Sequence, residues 1–267
     1  MLNLLREVAM TITNSKAEAW ELIGNQFWTI GRVAARPSDR ENDIFLENIV
    51  PGSTVAVIGA STRFLIEKAL ERGASVTVFD FSQRMCDDLA EALADRCVTI
   101  DLLDITAEIP KELAGHFDFV LNDRLINRFT TEEARRACLG MLSLVGSGTV
   151  RASVKLGFYD IDLKLIEYGE QSGTLAKFFD PSDKTFHFRE AGDVLDRALV
   201  PHGLIDKPTL LEWYRRRGKE TRFDDEDVRA LLSHDVVNAR GYVTLEKAVE
   251  LPDAPNTMLY QFSRRAG

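Results

Sequence analysis

Cysteine is scarce in this chain: Cys86, Cys97 and Cys138 are the whole supply. Their number is odd and no two stand at metal-ligand spacing, which argues against a disulfide framework and against a cysteine-built zinc site, so no metal is expected. Histidine is nearly as rare, with His116, His187, His202 and His234 in no recognisable motif. Of these, His187 between Phe186 and Phe188 is the best placed for proton transfer, although a core or surface role is the commoner fate of such a residue. The chain holds no Gly-x-Ser-x-Gly elbow, no His-Glu-x-x-His and no P-loop. No stretch approaches 18 uninterrupted apolar residues, so no transmembrane helix is expected. Residues 1–12 carry Arg6 and Glu7 inside a mildly apolar run, which is not a secretory layout, and a cytoplasmic location is expected. Positive charge is also in deficit, with 33 Lys+Arg against 42 Asp+Glu and a net charge of −9. Such a surface repels a polyanion, and the one basic run, Arg215 to Arg217, reads as a solvated helix face. A small-molecule partner is therefore expected, with neither nucleic acid nor membrane. The sequence leaves the oligomeric state open, a homodimer included.

What is present is a globular composition: 267 residues, 45% of them hydrophobic. Residues 3–13 and 15–33 read as helical, the second with Trp20, Ile23, Phe27 and Ile30 on one face. A further helix over 39–49 stops at Pro51-Gly52. The period then changes. Thr54 to Ile58 (TVAVI) is an apolar, β-branched run, the mark of a strand covered on both faces. Strands at 75–79, 98–100, 117–121 and 149–155 alternate with helices at 64–72, 83–94 and 131–145. Helices are also expected at 160–168 and 191–200, and a closing strand at 258–262. The alternation predicts an α/β fold, a doubly wound, mostly parallel sheet. Residues 1–50 would form an N-terminal helical cap, 51–156 the core, and 157–267 the completion of the sheet with a substrate-side elaboration, all in one compact domain. Residues 206–250 are too charged to assign.

In such a sheet, ligands bind outside the carboxyl ends of the strands, at the switch point beside the first strand. Gly59 supplies a tight turn there, with Ala60 and Ser61 following it. Asp80 stands 21 residues later, at the end of the second strand, where a carboxylate can accept hydrogen bonds from both ribose hydroxyls. The alternative role for Asp80 is to cap the helix that follows. A dinucleotide loop needs G-x-G-x-x-G, and Gly59 to Phe64 holds one glycine only, which favours a nucleoside without phosphates.

Residues 54–145 resemble the cofactor half of class I S-adenosylmethionine (SAM)-dependent methyltransferases. Val55 to Arg63 is similar to the family's first motif, with Ser61 and Arg63 in two of its three glycine places. Val78 to Met85 (VFDFSQRM) resembles its acidic second motif. The resemblance implies SAM as cofactor, with Asp80 on the ribose and Phe81 and Met85 flanking the adenine. Leu103 to Thr106 resembles the third motif, so Asp104, with Ile105 beside it, would meet the adenine amino group, Asp101 being a competitor. Phe117 to Asn127 stands in the fourth-motif place, which puts Asn122 and Asp123 beside the methionine part. Tyr159, at the end of the fifth strand, could wall a sulfonium by cation–π attraction. Together Asn122, Asp123 and Tyr159 are the catalytic candidates. On the substrate side the candidates are Trp28, Arg36, Arg124 and Asn127. The implied activity is methyl transfer to a small molecule, which works by positioning and needs no strong base. Two other readings stay open: cyclisation or cleavage of SAM itself with release of methylthioadenosine, as in azetidine-2-carboxylate synthases, and SAM binding without catalysis.

Overall fold

A computed structural model describes residues 15–30, 37–201, 205–232 and 242–265. The apolar run Thr54–Ile58 forms β1. Val55 and Val57 enter one hydrophobic core and Ala56 and Ile58 another, as a strand covered by helices on both faces requires. Parallel neighbours follow: β2 (Ser75–Asp80) and β3 (Val98–Leu102) on one side, β4 (Phe117–Asp123) and β5 (Val145–Lys155) on the other. Two more strands, β9 (Tyr242–Glu250) and β10 (Thr257–Arg265), complete the sheet in the order β3-β2-β1-β4-β5-β10-β9, with β10 antiparallel to both neighbours. The expected closing strand is β10. The chain leaves β1 toward β2 and later returns to its other side as β4, so the switch point lies between β1 and β4.

Helices cover both faces. Helices α1 (Ser15–Ile23), α3 (Asp39–Phe45), α4 (Arg63–Glu71), α5 (Gln83–Ala92) and α9 (Lys207–Arg217) share the core that takes Val55. The opposite core takes α6 (Thr131–Leu144) and α10 (Asp225–Leu231). The single helix expected over 15–33 is two, α1 and α2 (Gln26–Ile30), because the chain turns at Gly24 with φ +51°. The expected helix over 3–13 lies outside the described residues.

A second, antiparallel sheet of β6 (Phe179–Asp180), β7 (Thr185–His187) and β8 (Lys219–Thr221) was not legible in the sequence. Its strands are two or three residues long, too short for a periodic signal. With α7 (Asp160–Ser172) and α8 (Gly192–Ala198) it encloses a third core around Leu165, Phe178, Phe186 and Phe188. No described helix is long and apolar enough to cross a membrane.

Gly140 sits in the middle of α6, where alanine would ordinarily favour the helix by about 1 kcal/mol. A Cβ there would collide with the carbonyl oxygen of Ile105, in the loop after β3. Overpacking of this kind costs about 1–3 kcal/mol. Gly140→Ala is therefore expected to lower the free energy of unfolding, as measured by urea denaturation, despite its better helix propensity.

Candidate functional site

The three loops at the carboxyl edge are tied to one another through Asp80. Gly59 takes φ +105°, which a residue with a Cβ rarely adopts, and its N–H donates to the Phe79 carbonyl at 2.8 Å. This turn aims the Ala60 N–H at Asp80 Oδ2, 2.8 Å away. Asp80 Oδ1 accepts the Ser82 N–H at 2.8 Å, and the Asp80 carbonyl accepts the Leu103 N–H at 2.9 Å. The helix cap is Ser82, whose side chain accepts the Met85 N–H, so Asp80 is not merely a cap. Burial pushes the Asp80 carboxyl up to about 6, against the pull of the Ser82 and Ala60 N–H groups. Each of its oxygens carries two lone-pair sites, so acceptor capacity is left after these bonds and the weaker one from the Phe81 N–H. Across the switch point Asn122 is fully buried. Its Nδ2 donates to the Ile58 carbonyl at 3.3 Å, and its Oδ1 has no hydrogen-bond partner among the described residues.

The other residues expected around a nucleoside are less uniformly placed. Asp104 lies in the loop after β3, where Oδ1 accepts the N–H and hydroxyl of Thr106 at 2.9 and 2.7 Å. Ile105 is buried against α6. Phe81 lies at the edge of the core, and Met85, without exposed surface, belongs to the same core. Trp28 meets the glycine turn: its Nε1 donates to the Ala60 carbonyl at 3.1 Å, and the Arg63 guanidinium lies 5.4 Å from its ring centre. Arg36 lies outside the described residues. Sequence reasoning missed Glu21 on α1, whose Oε1 accepts from the Ser82 hydroxyl at 2.8 Å and the Arg84 N–H at 3.2 Å. The helical cap is thereby pinned onto the start of α5.

Beyond β4 the chain changes direction at Arg124, with φ +54°, a conformation that costs a non-glycine residue about 1–3 kcal/mol. The Arg124 guanidinium grips its neighbour: Nε and Nη2 donate to Asp123 Oδ1 and Oδ2 at 3.0 and 2.9 Å. The Ser153 hydroxyl adds a 2.6 Å bond to Asp123 Oδ1. Three donors thus occupy Asp123, leaving little of it for a general base. Asn127 is buried and braces β5, its amide exchanging bonds of 2.8 and 2.9 Å with the Lys155 backbone, so it is not presented to a ligand.

Tyr159 also departs from expectation. Its ring already faces three cations: Arg222 at 4.8 Å, Lys155 at 5.7 Å and Arg128 at 5.9 Å. A sulfonium wall would have to be shared with them. Burial raises the phenol above its ordinary pKa, so it stays protonated and serves as a donor, not a base.

Around Tyr159 lies a cluster that sequence reasoning did not assemble. Arg222 holds Asp162 through two bonds of 2.6 and 3.0 Å, and its Nη1 reaches Glu220 Oε2 at 3.0 Å. Arg217 grips the same Glu220 at 2.7 and 2.5 Å. A third guanidinium, Arg128, stands 3.8 Å from Glu220 Oε2. Burial alone would raise the Glu220 carboxyl, but the three arginines outweigh it and hold it far below the usual range. Arg217 ends the run read as a solvated helix face. It is turned inward over Trp213, Tyr214 and Phe188, its guanidinium 4.4, 4.4 and 5.1 Å from their ring centres. His187 lines a separate cavity of about 290 Å³ with Lys16, Glu133, Arg189 and Lys219, and burial lowers its pKa. His116 is exposed at the opposite edge, its carbonyl bonded to the Thr54 hydroxyl.

No protein-family profile and no curated protein matches this sequence. Among solved structures, the chain is similar to one from Rhodobacter sphaeroides named, provisionally, a Zn-dependent alcohol dehydrogenase. Identity is 98%, over 96% of this chain and 100% of that chain, with a TM-score of 0.92. It is similar to a protein from Pyrococcus horikoshii OT3 at 13% identity, over 93% of this chain and 99% of that chain, with a TM-score of 0.55. A SAM-dependent methyltransferase from Aquifex aeolicus superposes at 9% identity and TM-score 0.50, over 84% of this chain and 88% of that chain. The sheet order, with its reversed strand β10 set between β5 and β9, decides the matter. The fold is that of the class I SAM-dependent methyltransferases.

On this methyltransferase fold, the Arg222–Asp162 pair docks the second sheet onto the start of α7. Both side chains are almost fully buried. Removing one partner of such a pair leaves an uncompensated interior charge, at a cost of about 3–5 kcal/mol. Asp162→Ala is expected to lose stability on that scale in urea unfolding, and more than Arg135→Ala, which breaks only the exposed pair with Glu132.

Proposed function

We propose that the chain binds SAM at the β1–β4 switch point and transfers its methyl group to a small-molecule acceptor. The observation that carries this reading is the Asp80 carboxylate, held against a one-glycine turn with acceptor capacity to spare. Two ribose hydroxyls would use that capacity. The unpartnered Oδ1 of Asn122 would accept from the ammonium of the methionine part. Asp104, with one carboxylate oxygen bonded only within its own turn, would accept from the adenine amino group. The bound cofactor would supply an already activated methyl group. The residues around it would orient the acceptor and exclude water, which requires no strong base. That fits a site where Tyr159 stays protonated and Asp123 is tied to Arg124.

The zinc-dependent dehydrogenase chemistry in the name of the Rhodobacter structure finds little support in these residues. Catalytic zinc in alcohol dehydrogenases takes two cysteines and a histidine. Here Cys86 and Cys138 are buried, each thiol pushed up to about 12 by burial, and Cys97 is exposed. Among the described residues no three of histidine, cysteine, aspartate and glutamate come together as a metal site. The loop after β1 also places Ser61 and Phe64 where a pyrophosphate would need glycine.

Calorimetry with SAM and with NAD tests the cofactor; heat from NAD and none from SAM would sink the reading. The pH dependence tests the role of Asp80. Ribose hydroxyls donate to the ionised carboxylate, so binding is strongest above its pKa of about 6 in the free protein. Below about 6 the affinity for SAM is expected to fall, by up to about tenfold per pH unit. Asp80→Asn should bind SAM more weakly at neutral pH, since each lost charged bond is worth about 1.5–3 kcal/mol, and should lose this slope. Asp80→Ala is a poorer probe, because it also releases the Ala60 and Ser82 N–H groups and costs stability.

The reaction itself is tested by incubation with SAM alone. A methyltransferase without its acceptor should form almost no S-adenosylhomocysteine. Enzyme-dependent release of methylthioadenosine, seen by chromatography, would replace methyl transfer with cyclisation or cleavage of SAM.

A further inference from the structure

The cluster around Glu220 sets three guanidiniums against two carboxylates. Docking the second sheet needs Arg222 on Asp162 and Arg217 on Glu220, and both are bidentate or nearly so. That accounts for two guanidiniums and two carboxylates. Arg128 is the third guanidinium. It offers five N–H donors, yet its side chain makes no hydrogen bond among the described residues, and its nearest carboxylate oxygen is Glu220 Oε2 at 3.8 Å. That oxygen is already occupied by Arg217 and Arg222. The Arg128 side chain is 21% exposed, so its unbonded N–H groups can be reached from outside the cluster. Two further donors in the same cluster lack a partner: the buried Tyr159 hydroxyl and Nη1 of Arg217, a residue 2% exposed. Tyr159 and Arg128 come from different elements, the start of α7 and the 3-10 turn 126–128 after β4. Both elements follow strands at their carboxyl ends, the edge where the acceptor must approach.

We propose that the acceptor carries an oxyanion, a carboxylate or a phosphate monoester, which docks on the Arg128 guanidinium and the Tyr159 hydroxyl. This rests on the transferase reading above, since it assigns the acceptor side of that site. An oxyanion supplies acceptors to these donors and neutralises the surplus charge of the cluster. A neutral acceptor could pair with these donors through its own lone pairs, but it would leave the charge of the cluster uncompensated. Arg128 and Tyr159 are specificity residues in this account, and no proton transfer is asked of either.

The test uses the full chain saturated with S-adenosylhomocysteine, titrated calorimetrically with benzoate, phenyl phosphate and neutral benzamide. At least one of the two anions is expected to bind about tenfold or more tightly than benzamide. Preference for benzoate assigns a carboxylate, and preference for phenyl phosphate a phosphate ester. Arg128→Gln and the milder Tyr159→Phe should each weaken the favoured anion about tenfold while leaving S-adenosylhomocysteine affinity unchanged, which also shows that the variants fold. Benzamide binding as well as the anions, anion affinity unchanged in Arg128→Gln, or no anion binding to the saturated protein would overturn the proposal with the transferase reading intact. Failure of S-adenosylhomocysteine itself to bind would sink that reading, and the same anion titrations without it would still decide whether Arg128 and Tyr159 hold an oxyanion.

Discussion

One buried carboxylate, Glu220, organises the carboxyl edge of the sheet. It lies on a three-residue strand that would not hold its place by backbone hydrogen bonds alone, since an isolated short hairpin is marginal in water. Arg217 from α9 and Arg222 from just past β8 converge on it, and Arg222 carries the connection on to Asp162 in the first turn of α7. Asp162 in turn accepts the Tyr159 N–H at 2.7 Å and fixes where that helix begins. Arg222 also donates to the Asn127 carbonyl, so the turn after β4 belongs to the same frame. The aromatic rings of Phe188, Trp213 and Tyr214 exclude water from Arg217, which makes its pairing stronger and its loss more damaging. The second sheet is therefore placed by charge, and its apolar core is closed around that placement.

Asp80 performs the corresponding task on the other half of the edge with backbone groups in place of guanidiniums. Two N–H bonds offset only part of its desolvation, and the carboxyl stays raised to about 6. The contrast with Glu220 is instructive. A carboxylate whose role is structural is surrounded by full cations and held ionised. One whose partners are neutral dipoles keeps spare lone pairs, a pKa near neutrality and a gain still to be made when further donors arrive. Perturbation of this kind, in a residue with unfilled acceptor capacity, marks a ligand site better than perturbation alone.

The parts of this arrangement that were legible in the sequence are local ones. Thr54 to Ile58, the turn at Gly59 and the run from Val78 to Met85 declare strand, loop and helix within a few residues of one another. They placed Asp80 at the end of β2, where it stands. Legibility failed where a side chain's fate depends on distant partners. Arg217 reads as one of three surface arginines, and only the pairing with Glu220 and the rings of α9 turns it inward. Asn127 looks like a ligand group until Lys155, 28 residues away, takes both ends of its amide. Met85 fits a motif position, yet its side chain is fully buried in the core. Glu21 gave no signal, because a glutamate on an amphipathic helix is ordinarily solvated. Strands of two or three residues, such as β6 to β8, carry no period to detect.

The charge of the whole molecule and the charge of the Glu220 cluster have opposite signs, and the two act over different distances. A net charge of −9 repels an extended polyanion at every approach, while at physiological salt the field of each surface charge fades over about 8 Å. A small anion that has crossed that distance feels chiefly its near neighbours. In the cluster beside Tyr159 these are Arg128, Arg217 and Arg222 against Asp162 and Glu220, with low-dielectric aromatic walls that weaken screening. Local and global electrostatics would thus weigh differently on ligands of different size. An extended polyanion would meet both regions, whereas a metabolite-sized anion beside Tyr159 would meet chiefly the smaller. The deficit of basic residues in the sequence and the excess of them at this one place are in this sense a single design.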